Sequence, residues 1–238
     1  MPTISHIRSK DIPMTDLGGG LRRGLMLPDQ MDGVETFKCL QAAGSQVTPR
    51  VYPDRIQIFF FTKGTGYIGT RDRAHNITEV AVFVPMLDQE SFFIQAGADL
   101  EYLHFIVKMN DFDRTEFRKC RMYLPHFALL SQCPRYHEDF KGPSVKSYTI
   151  VEHDNLARIS MGLIVSDGGA PDNVGEHVHA NLQQWYVGLP GCRFAFTAEG
   201  ETIPVEEGDC TCIPKGARHS VRAEAGGRIH YVWFELKC

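Results

Sequence analysis

The chain has 238 residues, of which 43% are hydrophobic and 23% are charged, and its net charge at pH 7 is −4. This balance is typical of an ordinary folded protein and excludes a disordered chain. A slightly acidic chain gives no reason to expect nucleic acid or an anionic membrane as a partner, and no apolar run is long enough to span a bilayer. The length allows one large domain or two small ones.

Cysteine use and the first residues favour a cytoplasmic protein. The seven cysteines are odd in number and form no dense framework, which is typical of reduced thiols. Cys210 and Cys212 share one face of a predicted strand, and we interpret them as packing residues because zinc motifs space their cysteines differently. The opening residues contain no apolar signal segment.

The segment from residue 46 to residue 108 has a β pattern. Its apolar runs, Ile56–Thr62, Val80–Val84 and Glu101–Val107, predict strands, and Lys63–Gly66 predicts a turn. A linking segment follows, in which Asp111 is expected to cap a short helix over residues 114–121.

A second β region extends from residue 145 to residue 238. Ala157–Val165, Arg193–Thr197 and Arg228–Leu236 predict short strands separated by turns, a pattern typical of a small barrel or sandwich. His126, His137 and His153 have no partner at ligand spacing, so we interpret them as structural or exposed.

The strongest chemical signal lies between Gly175 and His219. His177 and His179 alternate along a predicted strand and therefore project side by side. Gln184 begins the next apolar run, and His219 follows a Pro-Lys-Gly turn that can return a third imidazole to the same place. Three imidazoles and an amide oxygen form a neutral ligand set for one divalent metal ion, with zinc, iron, nickel, manganese, cobalt and copper all left open.

This stretch resembles the two motifs of the cupin superfamily, G-x5-H-x-H-x3,4-E-x6-G and G-x5-P-x-G-x2-H-x3-N. The first motif is matched by His177 and His179, with Gln184 in place of its glutamate, and the second by Gly208, Pro214, Gly216 and His219. Pro171 and Ala223 depart from the motifs at turn and scaffold positions. Glutamine in place of glutamate implies a metal with no anionic protein ligand, and hence a stronger Lewis acid.

The first β region is interpreted as a degenerate copy of the second. Aligning Gly64 with Gly191 places Gln57 on Gln184, and it places Arg50, Tyr52 and Glu90 at the three histidine positions. We interpret this polar set as a hydrogen-bonded filling, and we predict no metal there.

Repeat and resemblance together imply an all-β bicupin, with two jelly-roll barrels in tandem and a short helical linker. The expected boundaries are residues 1–109 for a barrel without metal ligands, 110–144 for the linker, and 145–238 for the metal-binding barrel. Exposed sheet edges also make a homodimer an expectation.

A Lewis-acidic metal suits proton shifts beside a carbonyl group. The resemblance implies an isomerase or lyase that acts on a small oxygenated metabolite, such as a keto sugar or a sugar acid. Tyr186 alternates with Gln184 and is the candidate catalytic proton carrier, and Arg193 is a weaker candidate for holding a substrate carboxylate. The alternatives are an iron or nickel dioxygenase and a non-catalytic module that binds a small molecule. The pattern leaves open which face of the last strand, with His230, Tyr231 and Glu235, points inward.

Overall fold

The computed structural model describes residues 3–87, 91–120 and 123–238, and it is built almost entirely of antiparallel strands. The strands of this described part, in chain order, are β1 (Ser5–Ile7), β2 (Thr15–Asp16), β3 (Leu21–Met26), β4 (Val34–Gln41), β5 (Gln46–Val47), β6 (Arg55–Lys63), β7 (Gly66–Gly69), β8 (Ala74–Ile77), β9 (Ala81–Val84), β10 (Phe93–Ala96), β11 (Leu100–Lys108), β12 (His126–Leu129), β13 (Arg135–Tyr136), β14 (Lys146–Leu156), β15 (Ile159–Val165), β16 (Asp172–His177), β17 (Leu182–Gly188), β18 (Arg193–Ala198), β19 (Glu201–Glu206), β20 (Cys210–Ile213), β21 (His219–Ala223) and β22 (His230–Lys237). Two 3-10 turns (Ser9–Asp11 and Leu130–Gln132) and one α-helix, α1 (Asp111–Cys120), complete the elements of these residues.

The chain divides into two compact units at places that differ from the expected boundaries. Unit 2 is Ile12–Gln132, and unit 1 combines the residues up to Asp11 with Cys133–Cys238. The N-terminal residues belong to unit 1 because β1 pairs with β20, with Ser5 opposite Cys212. The expected linker is divided as well, since α1 lies inside unit 2 and β13 pairs with β14 in unit 1.

Unit 1 contains a seven-stranded sheet and a four-stranded sheet. Their strand orders are β1-β20-β17-β22-β15-β14-β13 and β16-β21-β18-β19. Both sheets contribute to one apolar core, because alternate residues of β18 are buried beside inward residues of β17 and β22. The sheets form an open two-sheet jelly roll and do not close into a continuous barrel.

Unit 2 repeats this arrangement. Its sheets have the orders β12-β9-β6-β11-β4-β3-β2 and β5-β10-β7-β8. Adding eleven to each strand number of unit 2 gives the strand order of unit 1. The exception is one edge strand, which is β12 in unit 2 and β1 in unit 1. Gln57 is the third residue of β6 and Gln184 the third residue of β17, as the repeat predicts.

The helix begins earlier than expected, and a different residue caps it. The Asn110 side chain accepts a hydrogen bond from Asp113 N at 2.9 Å, and the Asp113 carboxylate accepts one from Asn110 N at 3.0 Å. This reciprocal capping box makes Asn110 the N-cap and moves Asp111 into the first turn. No helix of the described residues is long and apolar enough to cross a membrane.

Candidate metal centre

The three predicted histidines come together at one end of unit 1. His177 ends β16 and His219 begins β21, and the two residues lie opposite each other across these paired strands, beyond an irregularity after Val174. His179 follows β16 by two residues. One nitrogen atom from each ring lies within 4.8 Å of the other two, so the three imidazoles could hold a metal ion.

Backbone carbonyls orient two of the rings. His177 Nδ1 donates to Gly175 O at 2.8 Å, and His219 Nδ1 donates to Ala217 O at 3.1 Å. A ring that donates from Nδ1 presents the lone pair of Nε2, and such outer partners commonly fix the tautomer of metal-binding histidines. Burial lowers the pKa of His177, and burial together with the neighbouring His177 lowers that of His219 to about 3. Both rings are therefore neutral, which is the form that binds a metal.

A buried carboxylate also lies beside the imidazoles, on the strand whose inward face the sequence left open. Glu235 on β22 lies opposite Gln184 on β17 and is buried. Its Oε1 accepts a hydrogen bond from Gln184 Nε2 at 2.8 Å and lies 3.9 Å from His179 Nε2. Ser160 Oγ donates to the other carboxylate oxygen at 3.1 Å. The role of Gln184 as a ligand stays a prediction.

Tyr186 faces the same cavity as Gln184, as the alternation of β17 predicts. Its hydroxyl lies 2.9 Å from His219 Nε2, the atom that would bind a metal, so the phenol is beside the candidate metal position. Burial raises the pKa of Tyr186 well above its usual value, and the nearby Tyr231 and Glu235 raise it further. The phenol is therefore neutral, and it can donate a hydrogen bond or a proton.

These groups line a cavity of about 330 Å³ in unit 1. Three of its residues, Tyr136, Glu138 and Lys141, come from the segment that the sequence suggested was a linker. Lys141 Nζ donates to Ser147 Oγ at 2.7 Å and is paired with Glu138, and the Lys141 side chain is only 3% exposed. The remaining lining residues are Thr149, Glu152, Ile164, Val174, His177, His179, Gln184, Tyr186, His219, Tyr231, Trp233 and Glu235.

The register of β22 explains which residues sequence reasoning missed. Tyr231, Trp233 and Glu235 alternate and line the cavity, whereas His230 points elsewhere and donates from Nδ1 to Pro190 O at 3.0 Å. Alternation alone marks two possible faces, and only the pairing with β17 shows which one is inward. Lys141 carried no spacing signal because its position depends on the path of a loop.

Other predicted candidates lie away from this cavity. Arg193 is exposed and donates to Gly226 O at 3.0 Å, so it does not line the site. His126 lies on β12 in unit 2, stacked on Tyr123, and His137 is exposed. The side chain of His153 falls outside the described residues.

The polar set predicted in unit 2 lies together as far as the structure describes it. Arg50, Tyr52 and Gln57 line one cavity of about 190 Å³. Gln57 Nε2 donates to Arg50 O at 2.9 Å, and Gln57 Oε1 accepts from His104 Nε2 at 2.9 Å. Glu90 lies outside the described residues.

The fold and the site together describe a two-sheet jelly roll in which three converging imidazoles could hold a metal ion. The family model of the cupin domain matches residues 165–235, which include all three histidines. Residues 165–235 therefore match a cupin domain, and the expected resemblance to the cupin superfamily is confirmed for this region.

Solved structures match nearly the whole chain. The putative glyoxylate-induced protein from Pseudomonas aeruginosa aligns with a TM-score of 0.78 at 11% identity, over 98% of this chain and 89% of that one. AerE from Microcystis aeruginosa aligns with a TM-score of 0.71 at 10% identity, over 94% and 96%. A mutant of Bacillus subtilis oxalate decarboxylase aligns with a TM-score of 0.74 at 12% identity, over 98% and 76%. At these identities the likeness establishes the fold alone. No curated protein matches the sequence.

Proposed function

We propose that the chain is a metal-dependent isomerase or lyase that acts on a small oxygenated metabolite, with a neutral keto sugar favoured over a sugar acid. One observation carries the proposal. His177, His179 and His219 converge at a cavity that also contains a buried carboxylate, a neutral phenol and an ammonium group. The candidate metal ligands and the groups that could transfer a proton therefore line the same cavity.

The three imidazoles would hold the metal, with Gln184 or Glu235 completing the ligand set. Imidazole suits zinc, iron and nickel, and an added side-chain oxygen also suits manganese. A bound divalent ion would polarise a carbonyl or hydroxyl oxygen of the substrate and so acidify the adjacent C–H bond.

The surrounding side chains can move the proton. Two donors, Gln184 and Ser160, hold the Glu235 carboxylate in one orientation at the cavity wall, where it can accept a proton. Tyr186 is neutral and can donate. Lys141 is held by Ser147, Glu138 and Tyr136, and its positive charge can stabilise negative charge that develops on a substrate oxygen.

The charge of the cavity favours a neutral substrate. Glu138, Glu152 and Glu235 face it, against the single ammonium of Lys141. The two positive charges of a divalent ion would offset this excess of two carboxylates. A substrate that brings its own carboxylate would then leave an unbalanced negative charge in a partly buried site, which is unfavourable.

The test combines metal analysis with proton exchange. Protein purified without added metal should contain about one equivalent of a divalent ion. In D₂O it should incorporate deuterium next to the carbonyl of a keto sugar, as followed by proton NMR. The double variant His177→Ala/His179→Ala should lose both metal and exchange, whereas the exposed His137→Ala should keep both.

Three outcomes would contradict the proposal. Oxygen consumption by an iron-loaded protein, without deuterium exchange, would support the dioxygenase. Saturable sugar binding without metal or turnover would support a non-catalytic binding module. Metal retained by the folded double variant would show that these histidines are not the ligands.

A further inference from the structure

The cavity of unit 2 carries a second constellation, independent of the metal centre. Arg23 on β3 lines it together with Cys39, Tyr102 and His104, and Arg50 and Tyr52 lie along the same wall. The Arg23 guanidinium rests 4.1 Å above the centroid of the Phe37 ring. Among the described residues Arg23 has no carboxylate partner within ion-pair distance.

The buried neighbours of Arg23 are neutral and already hydrogen bonded. The Cys39 thiol is hydrogen bonded to Tyr102, and burial raises the pKa of this thiol to about 12. Burial, with the positive charge of Arg23, lowers the pKa of His104 to about 3, so this ring stays neutral while it donates to Gln57. The positive charge of Arg23 is therefore not offset by any of these groups.

The second arginine is similarly available. The Arg50 guanidinium lies 5.0 Å from the centroid of the Tyr52 ring and is exposed. Two guanidinium groups packed on aromatic rings are held in fixed planes at low conformational cost, which favours bidentate recognition of a planar anion. The cavity volume of about 190 Å³ is several times the roughly 30 Å³ that one water occupies in the liquid. Within the described part of the chain, this cavity therefore combines free space with a guanidinium group that has no carboxylate beside it.

We propose that unit 2 binds a small carboxylate, of the size of a two- to four-carbon acid, on Arg23 with Arg50 beside it. Unit 2 would then use the pocket that unit 1 uses for metal, with guanidinium groups in place of imidazoles. The two sites lie in separate units and take ligands of different chemistry.

Titration calorimetry on the full chain, with metal removed by a chelator, tests this proposal. Acetate, oxalate, malonate and succinate are the probes, with sulfate as a non-planar anion. At least one carboxylate should bind saturably, and more tightly than sulfate. Arg23→Gln should weaken that binding about tenfold or more, since a charge-assisted hydrogen bond is lost. The affinity of Arg23→Lys should lie between those of the wild type and of Arg23→Gln.

Matched controls make the result decisive. Arg22→Gln lies on the exposed face of the same strand and should bind as the wild type does. The double variant His177→Ala/His179→Ala should also bind normally, because its changes lie in unit 1. If Arg23→Gln does not fold, the exposed Arg50→Gln replaces it, with an expected loss of about threefold. Absence of saturable binding, sulfate binding as tight as any carboxylate, full binding by the arginine variants, or loss of binding in the histidine variant would each overturn the proposal.

Discussion

Gln184 and Glu235 form the most informative pair of single residues in unit 1. They lie opposite each other on β17 and β22 and share a hydrogen bond of 2.8 Å, beside the three imidazoles. The amide alone would leave a metal with neutral ligands, whereas the pair supplies one negative charge. This charge should strengthen metal binding and reduce the Lewis acidity that a neutral ligand set would give.

We expect Glu235→Gln to weaken metal binding roughly ten- to one hundredfold, because it removes the only carboxylate hydrogen bonded to Gln184 in the described structure. The double variant Gln184→Glu/Glu235→Gln exchanges the two groups and keeps both the charge and the hydrogen bond. It should therefore recover most of the affinity, as measured by competition with a chromogenic chelator. Equal affinities in wild type and Glu235→Gln would show that the carboxylate is irrelevant to the metal.

The histidines of this site were predictable, and their acidic neighbour was not. His177, His179 and His219 are identified by strand alternation and by the spacing of two motifs, both of which are local. Glu235 depends on the register between β17 and β22, residues far apart in the chain. Sequence alternation cannot determine this register, because a shift by one residue reverses the two faces.

Among the structural elements, the segment Glu138–Gly142 has the closest relation to the metal centre. It runs along β16, where Gly175 N donates to Phe140 O at 2.7 Å and Gly142 N donates to Asn173 O at 2.8 Å. The Phe140 ring stacks on His177 with centroids 4.4 Å apart. A Cβ atom at position 175 would lie 2.8 Å from Phe140 O, so glycine is what allows this close approach.

Phe140→Ala should weaken metal binding about tenfold, because His177 loses the ring that restricts its orientation. The hydrogen bond from His177 Nδ1 to Gly175 O should survive, so metal is still bound at saturation. The exposed His137→Ala, three residues earlier, is the control. Chelator competition gives the affinity and circular dichroism reports the fold, and an affinity equal to that of the wild type would assign Phe140 to packing alone.

The strands themselves were largely predictable from alternation, whereas this segment was not. Residues 110–144 lack a periodic pattern, and their turn residues are also typical of a linker. Their position results from tertiary hydrogen bonds to β16. Lys141 and Glu138 consequently enter the cavity without any spacing that the sequence could reveal.

At the scale of the whole molecule, two jelly rolls of identical strand order differ in their edge strand. Unit 2 supplies β12 at this edge from its own continuous chain, and unit 1 uses β1 from the start of the described sequence. The duplicated order followed from the internal repeat. The sequence did not predict that β1 forms this edge of unit 1, because a strand of three residues shows too little alternation of polar and apolar residues.

Ile4 anchors this edge and is 3% exposed within the core of unit 1. Ile4→Ala should lower the free energy of unfolding of unit 1 by about 2–4 kcal/mol, through lost burial and the cavity left behind. Leu17→Ala, at a residue 51% exposed, should change it by less than about 0.5 kcal/mol. Urea unfolding followed by tryptophan fluorescence reports unit 1 directly, because Trp185 and Trp233 both lie there. An unchanged midpoint for Ile4→Ala would mean that β1 does not stabilise the unit.

The pairing of β1 with β20 has a consequence for synthesis on the ribosome. Ser9 N donates to a carboxylate oxygen of Asp209, 200 residues later, and unit 2 is encoded entirely between these two positions. Translation therefore completes unit 2 before β20 is made. During that time β1 has no strand with which it can pair. A nascent chain stalled near residue 175, long enough for unit 2 to leave the ribosomal tunnel, should resist protease within residues 12–132 and remain cleavable before residue 12. The early exposed segment becomes protected only when the last third of the protein has been made.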